Sequence, residues 1–491
     1  MPLAASLTDL ANYLAGSAEY LLAGLYIAMA LAVSVHATLW KRDSRAVIGW
    51  IGLAWLSPYI GALAYYLFGI NRIQRRAVQL SVRRAWRHAE EIKLSAREST
   101  QQELFLDSEF AGGMVRLSQQ LSGAGLLPGN TVQPLINGDE AFPAMLQAIR
   151  DARKSVCMCS YIFDHDQTGR QFVETLVDAV GRGVAVRVLI DGVGAGYSWP
   201  SIIRVLRKAG VPTATFLPTR VPRLPNTANL RNHRKILVVD GEVGFTGGTN
   251  IRHAHCLNGQ PSNPTSCLHF HLQGPVVKHL QQTFAVDWAF ATGESLEGDH
   301  WFTSTERSGD IWARGIAAGP DEDVEKLSDL LVGALSMARK SVQLTTPYFL
   351  PPQALMQGLA VAAMRGLKVD IVLPEKTNIR LLNWATMAEL RQLLERGCNV
   401  YLTPPPFDHS KLLIVDNTWS LIGSTNWDQR SLRLNFEFNV ECYSPAFANS
   451  LRAIIEGKLA NGRRLTLHDL DRRSLPVKLR DGAARLFGPY L

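Results

Sequence analysis

The stretch His233-Arg234-Lys235-Ile236-Leu237-Val238-Val239-Asp240 is followed by Gly247-Gly248-Thr249-Asn250, and the chain then repeats the arrangement. His409-Ser410-Lys411-Leu412-Leu413-Ile414-Val415-Asp416 leads to Gly423-Ser424-Thr425-Asn426 at the same offsets. A His-x-Lys-x4-Asp pattern alone arises by chance in roughly one chain of this length in fifteen, and adding Gly and Asn at fixed distances lowers that roughly 400-fold. Two full copies are therefore a built feature. The apolar residues after each lysine read as a strand, and the two-residue spacing of His and Lys puts both on one face. A polar turn and a second short apolar run (Val243 to Phe245; Trp419 to Ile422) return the chain, which is expected to bring Asn250 or Asn426 beside its His and Lys.

Working outward, the duplication extends beyond the motif. Ala152-Arg153-Lys154-Ser155-Val156 recurs as Ala338-Arg339-Lys340-Ser341-Val342, each followed by an apolar run ending in aromatics, Tyr161 with Phe163 and Tyr348 with Phe349. Arg182-Gly183-Val184 matches Arg365-Gly366-Leu367 in the same order. Within each copy, short β-branched runs alternate with segments of helical period, the pattern of α/β layering. The expected fold is α/β: two pseudo-symmetric halves, residues 128–310 and 311–491, forming one bilobed catalytic body.

Two histidines, two lysines and two asparagines around one cavity suit a phosphodiester. His233 and His409, with Lys235, Asp240, Lys411 and Asp416, are the catalytic candidates. Asn250, Ser424, Asn426 and Glu437 are the candidates for holding phosphate or supporting the histidines. Lysine and amide groups would carry the charge that grows on non-bridging oxygens, so no metal and no cofactor are expected. One imidazole can attack phosphorus while the other protonates the leaving oxygen, because an ordinary pKa near 6.5 allows both states. Double displacement through a phosphohistidine follows. Glu437, on an alternating apolar strand, is expected to hold the second ring nitrogen of His409. His253, His255, His269 and His271 read as local hydrogen-bonding groups, and Cys157 and Cys159 as small core side chains.

The composition, 47% hydrophobic and 19% charged over 491 residues, is that of a folded chain with an apolar excess. The excess lies at the front, where residues 20–40 and 46–70 are uncharged runs of about 21 and 25 residues, each long enough to cross a bilayer. An N-terminal membrane hairpin over residues 1–72 is expected, with a helical connector over 73–127. Pro58 and Gly61 allow a re-entrant form of the second run. Arginines from Arg72 to Arg87 favour a catalytic part on the cytoplasmic side, and the net charge of +8 beside such a hairpin suits anionic lipid better than nucleic acid.

The doubled His-Lys-Asp motif with its Gly-Ser-Thr-Asn-like turns resembles the phospholipase D superfamily, and over nearly the whole chain the likeness is to bacterial cardiolipin synthases. Pro58-Tyr59-Ile60-Gly61 to Tyr66-Leu67-Phe68-Gly69, Tyr161-Ile162-Phe163-Asp164 to Gly169, Gly274-Pro275-Val276-Val277 to Asp287-Trp288, Asp428 to Glu437 and the closing Pro489-Tyr490-Leu491 carry it. The resemblance implies condensation of two phosphatidylglycerols to cardiolipin and glycerol at the bacterial inner membrane, with His233 as nucleophile and His409 as acid and base. The alternative is the same chemistry with water or another alcohol as acceptor, a phospholipase D or a headgroup-exchange transphosphatidylase that uses phosphatidylethanolamine. One chain carrying both motifs needs no partner to complete its site, which leaves a homo-oligomer compatible. This chain departs from the family in having Cys267 where a carboxylate could orient the first histidine. If His233 lacks such support, His409 with Glu437 becomes the better nucleophile.

Overall fold

A computed structural model describes residues 3–41, 44–69, 109–218, 230–320 and 325–488. The arginines between Arg72 and Arg87, most of the expected connector and the closing Pro489-Tyr490-Leu491 lie outside them.

The chain forms two compact units, and the first contains the apolar front. Its long helix, Leu3–Trp40, includes the apolar span Tyr20–Trp40. The second apolar run is not one continuous helix but is broken beside Pro58. It divides into the helices Ser44–Leu56 and Pro58–Ala64 and a final π turn, Tyr65–Gly69. The break falls at Ser57, whose non-helical backbone precedes a proline that has no N–H to continue the helical ladder. Tyr59 Oη donates to the Leu22 carbonyl at 3.0 Å, and Trp55 Nε1 to Ser34 Oγ at 3.1 Å, so the pieces fold back onto the long helix.

The second unit holds the catalytic motifs in one path of hydrogen-bonded strands. In the first half the strands are β1 (Leu127–Ile136), β2 (Ser155–Ser160), β3 (Ala185–Asp191), β4 (Thr213–Phe216), β5 (Arg231–Asn232), β6 (Ile236–Val239), β7 (Val243–Gly247), β8 (Thr265–Ser266) and β9 (Leu268–Gln273). The second half adds β10 (Ile311–Ala318), β11 (Ser341–Thr345), β12 (Phe349–Leu350), β13 (Lys368–Pro374), β14 (Asn399–Thr403), β15 (Phe407–Asp408), β16 (Leu412–Val415), β17 (Trp419–Gly423), β18 (Trp427–Asp428), β19 (Asn435–Tyr443) and β20 (Arg463–Leu465). The order is β20-β14-β13-β11-β16-β17-β19-β10-β1-β9-β7-β6-β2-β3-β4. The sheets of the two halves meet where β1 pairs with β10.

Period 2 sorts each inner strand onto two helical layers. Val156 and Met158 of β2 face the helices Asn137–Asp151 and Gln167–Gly181, while Cys157 and Cys159 face Val277–Thr292. The second layer is shared: Val277, Leu280 and Phe284 of the first half join Phe447, Leu451 and Ile455 of the second in one continuous core. A common core of this kind makes the halves one body, and each large aliphatic or aromatic side chain in it is worth about 1.5–3 kcal/mol of burial.

The repeated Arg-Lys-Ser turn has a structural partner. Arg153, Lys154 and Ser155 donate their backbone N–H groups to the Asp240 carboxylate at 2.7–2.9 Å, and Arg339, Lys340 and Ser341 do the same to Asp416. Both aspartates sit in the left-handed region, φ +53° and +55°, at the turn that ends β6 or β16, a conformation aspartate tolerates better than most residues.

Candidate active site

His233 follows β5, and β5 pairs in parallel with the start of β19 in the other half, Arg231 opposite Asn435 and Asn232 opposite Phe436. The mirror contact joins β15, just before His409, to β8 of the first half. The His233 N–H then donates to the Phe436 carbonyl at 2.9 Å and the His409 N–H to that of Ser266 at 2.7 Å. Each histidine is therefore seated by the opposite half. Its lysine turns back on it: Lys235 Nζ donates to the His233 carbonyl at 2.7 Å and Lys411 Nζ to that of His409 at 2.6 Å.

The crossing decides the carboxylate. Glu437, the residue after Phe436, lies 3.0 Å from His233 Nδ1, so the expectation that it supports His409 is corrected. Strand alternation within the second half suggested the nearer histidine, but the pairing that places Glu437 is made across 204 residues of sequence. Glu437 also accepts from Asn435 Nδ2 at 3.0 Å and from the Ser424 hydroxyl. By the same crossing, Cys267 faces His409 and not His233: its Sγ is 3.8 Å from His409 Nδ1 and 3.4 Å from the His409 carbonyl. The His409 Nδ1 partner is the Gly248 carbonyl at 3.1 Å.

The two sides differ as matched pairs. Ser424 and Glu437 support His233, whereas Gly248 and Cys267 stand at His409. A Cβ at Gly248 would meet Cys267 Sγ at 2.7 Å, so the thiol occupies the room a serine would need. The first glycine of each turn has a separate reason. Gly423 has φ +151° and a Cβ there would come within 2.4 Å of the Phe438 carbonyl, so only glycine lets the turn approach β19 this closely.

Burial pushes His233 down to about 4, Glu437 pulling the other way and Lys235 and Lys411 adding to the fall. Burial alone would raise Glu437, but His233 and Lys235 more than offset it and hold the carboxylate below its usual range. Burial brings Lys235 to about 7 and Lys411 to about 8. His409 is driven well below its ordinary value by burial, then by Lys411, His255 and Lys235. Each lysine acts on both histidines, so the two motifs share one electrostatic site.

Asp240 and Asp416 are not in that site, which corrects their place among the catalytic candidates. Asp240 lies five positions beyond Lys235 across the strand, about 16 Å of extended chain, and each carboxylate is occupied by three backbone N–H groups. Asn250 Oδ1 accepts from the Ile162 N–H at 3.3 Å, and Asn426 Nδ2 donates to Ser431 Oγ at 3.1 Å. Among the described residues the buried Asn426 Oδ1 finds no hydrogen-bond partner. Among the described residues no three His, Cys, Asp or Glu converge on a metal-sized site, and His255 and His269, both buried, are pushed down to about 3.

Sequence reasoning missed the aromatic walls. Tyr161 lies edge-on to His233 with ring centroids 5.0 Å apart, and Tyr348 edge-on to His409 at 6.1 Å. The signal was present, since both end the duplicated apolar runs. It also missed Arg234, which donates to the Glu437 backbone carbonyl at 3.0 Å and pairs with the buried Asp287.

A family model described as "Cardiolipin synthase, PLD-like domain" matches residues 145–288 and 331–459. "Cardiolipin synthase A" of Pseudomonas fluorescens is 31% identical over 483 residues, 96% of this chain and 98% of that protein. "Cardiolipin synthase 2" of Bacillus cereus is 30% identical over 456 residues, 92% and 88% of the two chains. Among solved structures, the phosphatidylserine synthase of Haemophilus influenzae superposes with a TM-score of 0.58 at 16% identity, covering 77% of this chain and all of that one, and shares the fold.

Proposed function

Because the chain belongs to the cardiolipin synthase family with phospholipase D-like domains, we propose that it transfers a phosphatidyl group from one phosphatidylglycerol to the free primary hydroxyl of another, giving cardiolipin and glycerol. The observation that carries the assignment of roles is the Glu437–His233 pair. A carboxylate on Nδ1–H fixes the tautomer and leaves Nε2 with its lone pair. Burial keeps that ring neutral at pH 7, as a nucleophile requires.

In the first step His233 Nε2 forms an N–P bond, the P–O bond to glycerol breaks, and His409 gives its proton to the departing oxygen. In the second, His409 takes the proton of the acceptor hydroxyl, the new O–P bond forms and the N–P bond breaks. Lys235 and Lys411 balance the charge on the non-bridging oxygens, with Asn250 and Asn426 as further donors. Burial and the lysines hold the proton off His409. An entering phosphodiester anion offsets those lysines and restores its ability to carry one.

The span Tyr20–Trp40 is proposed to hold the protein in the bacterial inner membrane, the broken second run returning as a hairpin, with the catalytic unit on the cytoplasmic side. The 73–127 connector and the two halves at 128–310 and 311–491 complete the proposed division. Purified protein given labelled phosphatidylglycerol alone, with EDTA present, is expected to release cardiolipin and glycerol, and His233→Ala and His409→Ala to release neither. Phosphatidic acid as the sole product would make water the acceptor and overturn the reading.

A further inference from the structure

The last helix of the second unit, Leu475–Arg485, leaves an apolar face exposed although its other face is already packed. The inner face is made of Asp481 and Ala484, both buried, with Gly488 just beyond the helix, and it packs on the helix Arg380–Glu395. The outer face carries Leu475 and Leu479, four residues apart, continued past the helix end by Leu486 and Phe487. These are 67%, 64%, 74% and 54% exposed, although nothing polar interrupts them along the stripe. At 100° per residue Lys478 and Arg485 fall on one border of the stripe and Arg480 on the other. Arg480 lies over the Trp384 ring at 4.4 Å to its centroid, which holds that border in place.

An exposed leucine stripe bordered on both sides by cations is the pattern of a helix that lies in a bilayer interface, with its apolar face among acyl chains and its cations at acidic headgroups. The position supports the same occupant. Ala484 packs with Leu350, Leu382 and Tyr348, and Tyr348 is edge-on to His409. From the other half, Tyr197 reaches His233 through Tyr161 and is 60% exposed, with Trp199 beyond it 89% exposed. Exposed apolar side chains thus adjoin, along the chain, residues that connect to each histidine through Tyr348 or Tyr161.

We propose that the Leu475–Phe487 segment is a second membrane contact, separate from the N-terminal span, which docks the catalytic unit on an anionic lipid surface beside its own active site. The lipid surface is read from the helix alone. That docking serves substrate entry rests on the function proposed above.

The test uses the full chain with Cys256→Ser, since Cys256 is half-buried and the other five cysteines are buried. An environment-sensitive fluorophore is placed at Leu479→Cys and, separately, at Leu486→Cys. The protein is reconstituted into vesicles of phosphatidylcholine with or without phosphatidylglycerol. A blue-shifted emission in the anionic vesicles, quenched by nitroxide on the acyl chains, is the expected result. Emission typical of water and unquenched in both vesicles would overturn the proposal. Neither readout needs turnover, so it stands or falls apart from the reaction. With Leu479→Asp and Leu486→Asp together, turnover of vesicle substrate should fall at least tenfold, while turnover of dispersed short-chain phosphatidylglycerol stays within twofold. An equal loss on both substrates would contradict a docking role.

Discussion

At the residue scale, the difference between the two histidines rests on what stands at Nδ1: a carboxylate for His233, a backbone carbonyl and a thiol for His409. Glu437→Gln keeps the shape and loses the charge, and should lower kcat by about two to four orders of magnitude, as removing the orienting carboxylate does in comparable triads. Cys267→Ala should change kcat by less than about threefold, under about 0.7 kcal/mol, because a thiol at 3.8 Å supplies no counter-charge. Steady-state kinetics of the two variants check both. The pH dependence follows from the same groups. kcat/KM should rise as His233 loses its proton above a value of about 4, and fall on the alkaline side first as His409, held well below its ordinary value, loses the proton it must donate and then as Lys235 and Lys411 lose theirs between about 7 and 8, since the phosphate site needs both lysines charged. A profile still flat at pH 10 would contradict that account. The identities of His233, Lys235, His409 and Lys411 were legible because duplication marked them. The partner of Glu437 was not, because a strand's alternation says which face a residue takes and nothing about which distant strand lies opposite.

At the scale of elements, the duplicated turns and the duplicated aspartates belong together. Asp240 and Asp416 each accept three backbone N–H groups from the turn that begins β2 or β11, so their removal should unfasten an element and spare the chemistry. Asp416→Ala should cost about 2–3 kcal/mol of stability, read as a lowered Tm, with kcat of the folded protein little changed. Both parts of this contact stood in the sequence as repeats, but spacing could not tell a carboxylate that caps backbone from one that does catalysis. The apolar front shows a similar limit. Its hydropathy was legible and its length suggested two spans, but a proline after Ser57 outweighs hydropathy in deciding whether a helix continues. Deeper in the second half, Glu441 accepts from Ser118, Trp419 and Tyr443 at 2.9–3.0 Å and lies 3.1 Å from Arg314, all of them buried. Glu441→Ala leaves that guanidinium buried without its anion and should destabilise by about 3–5 kcal/mol, measurable by thermal unfolding in detergent.

At the scale of the whole molecule, two α/β halves were legible from the repeat, since alternating strand and helix periods in two copies admit few other arrangements. That each histidine is seated by the opposite half was not. Short parallel pairs, β5 with β19 and β15 with β8, carry each histidine to the opposite half, and they are too short to leave a pattern in the sequence. The proposed consequence is a single site with His233 as its nucleophile, marked by the only carboxylate that reaches a motif histidine among the described residues. The most direct measurement is rapid quenching of the wild-type protein with phosphatidylglycerol labelled at phosphorus, followed by peptide mapping of the acid-labile, base-stable adduct. Label is expected on His233 and should disappear when unlabelled phosphatidylglycerol is added in excess; label on His409, or cardiolipin formed with no adduct on either histidine, would rule out His233 as the nucleophile.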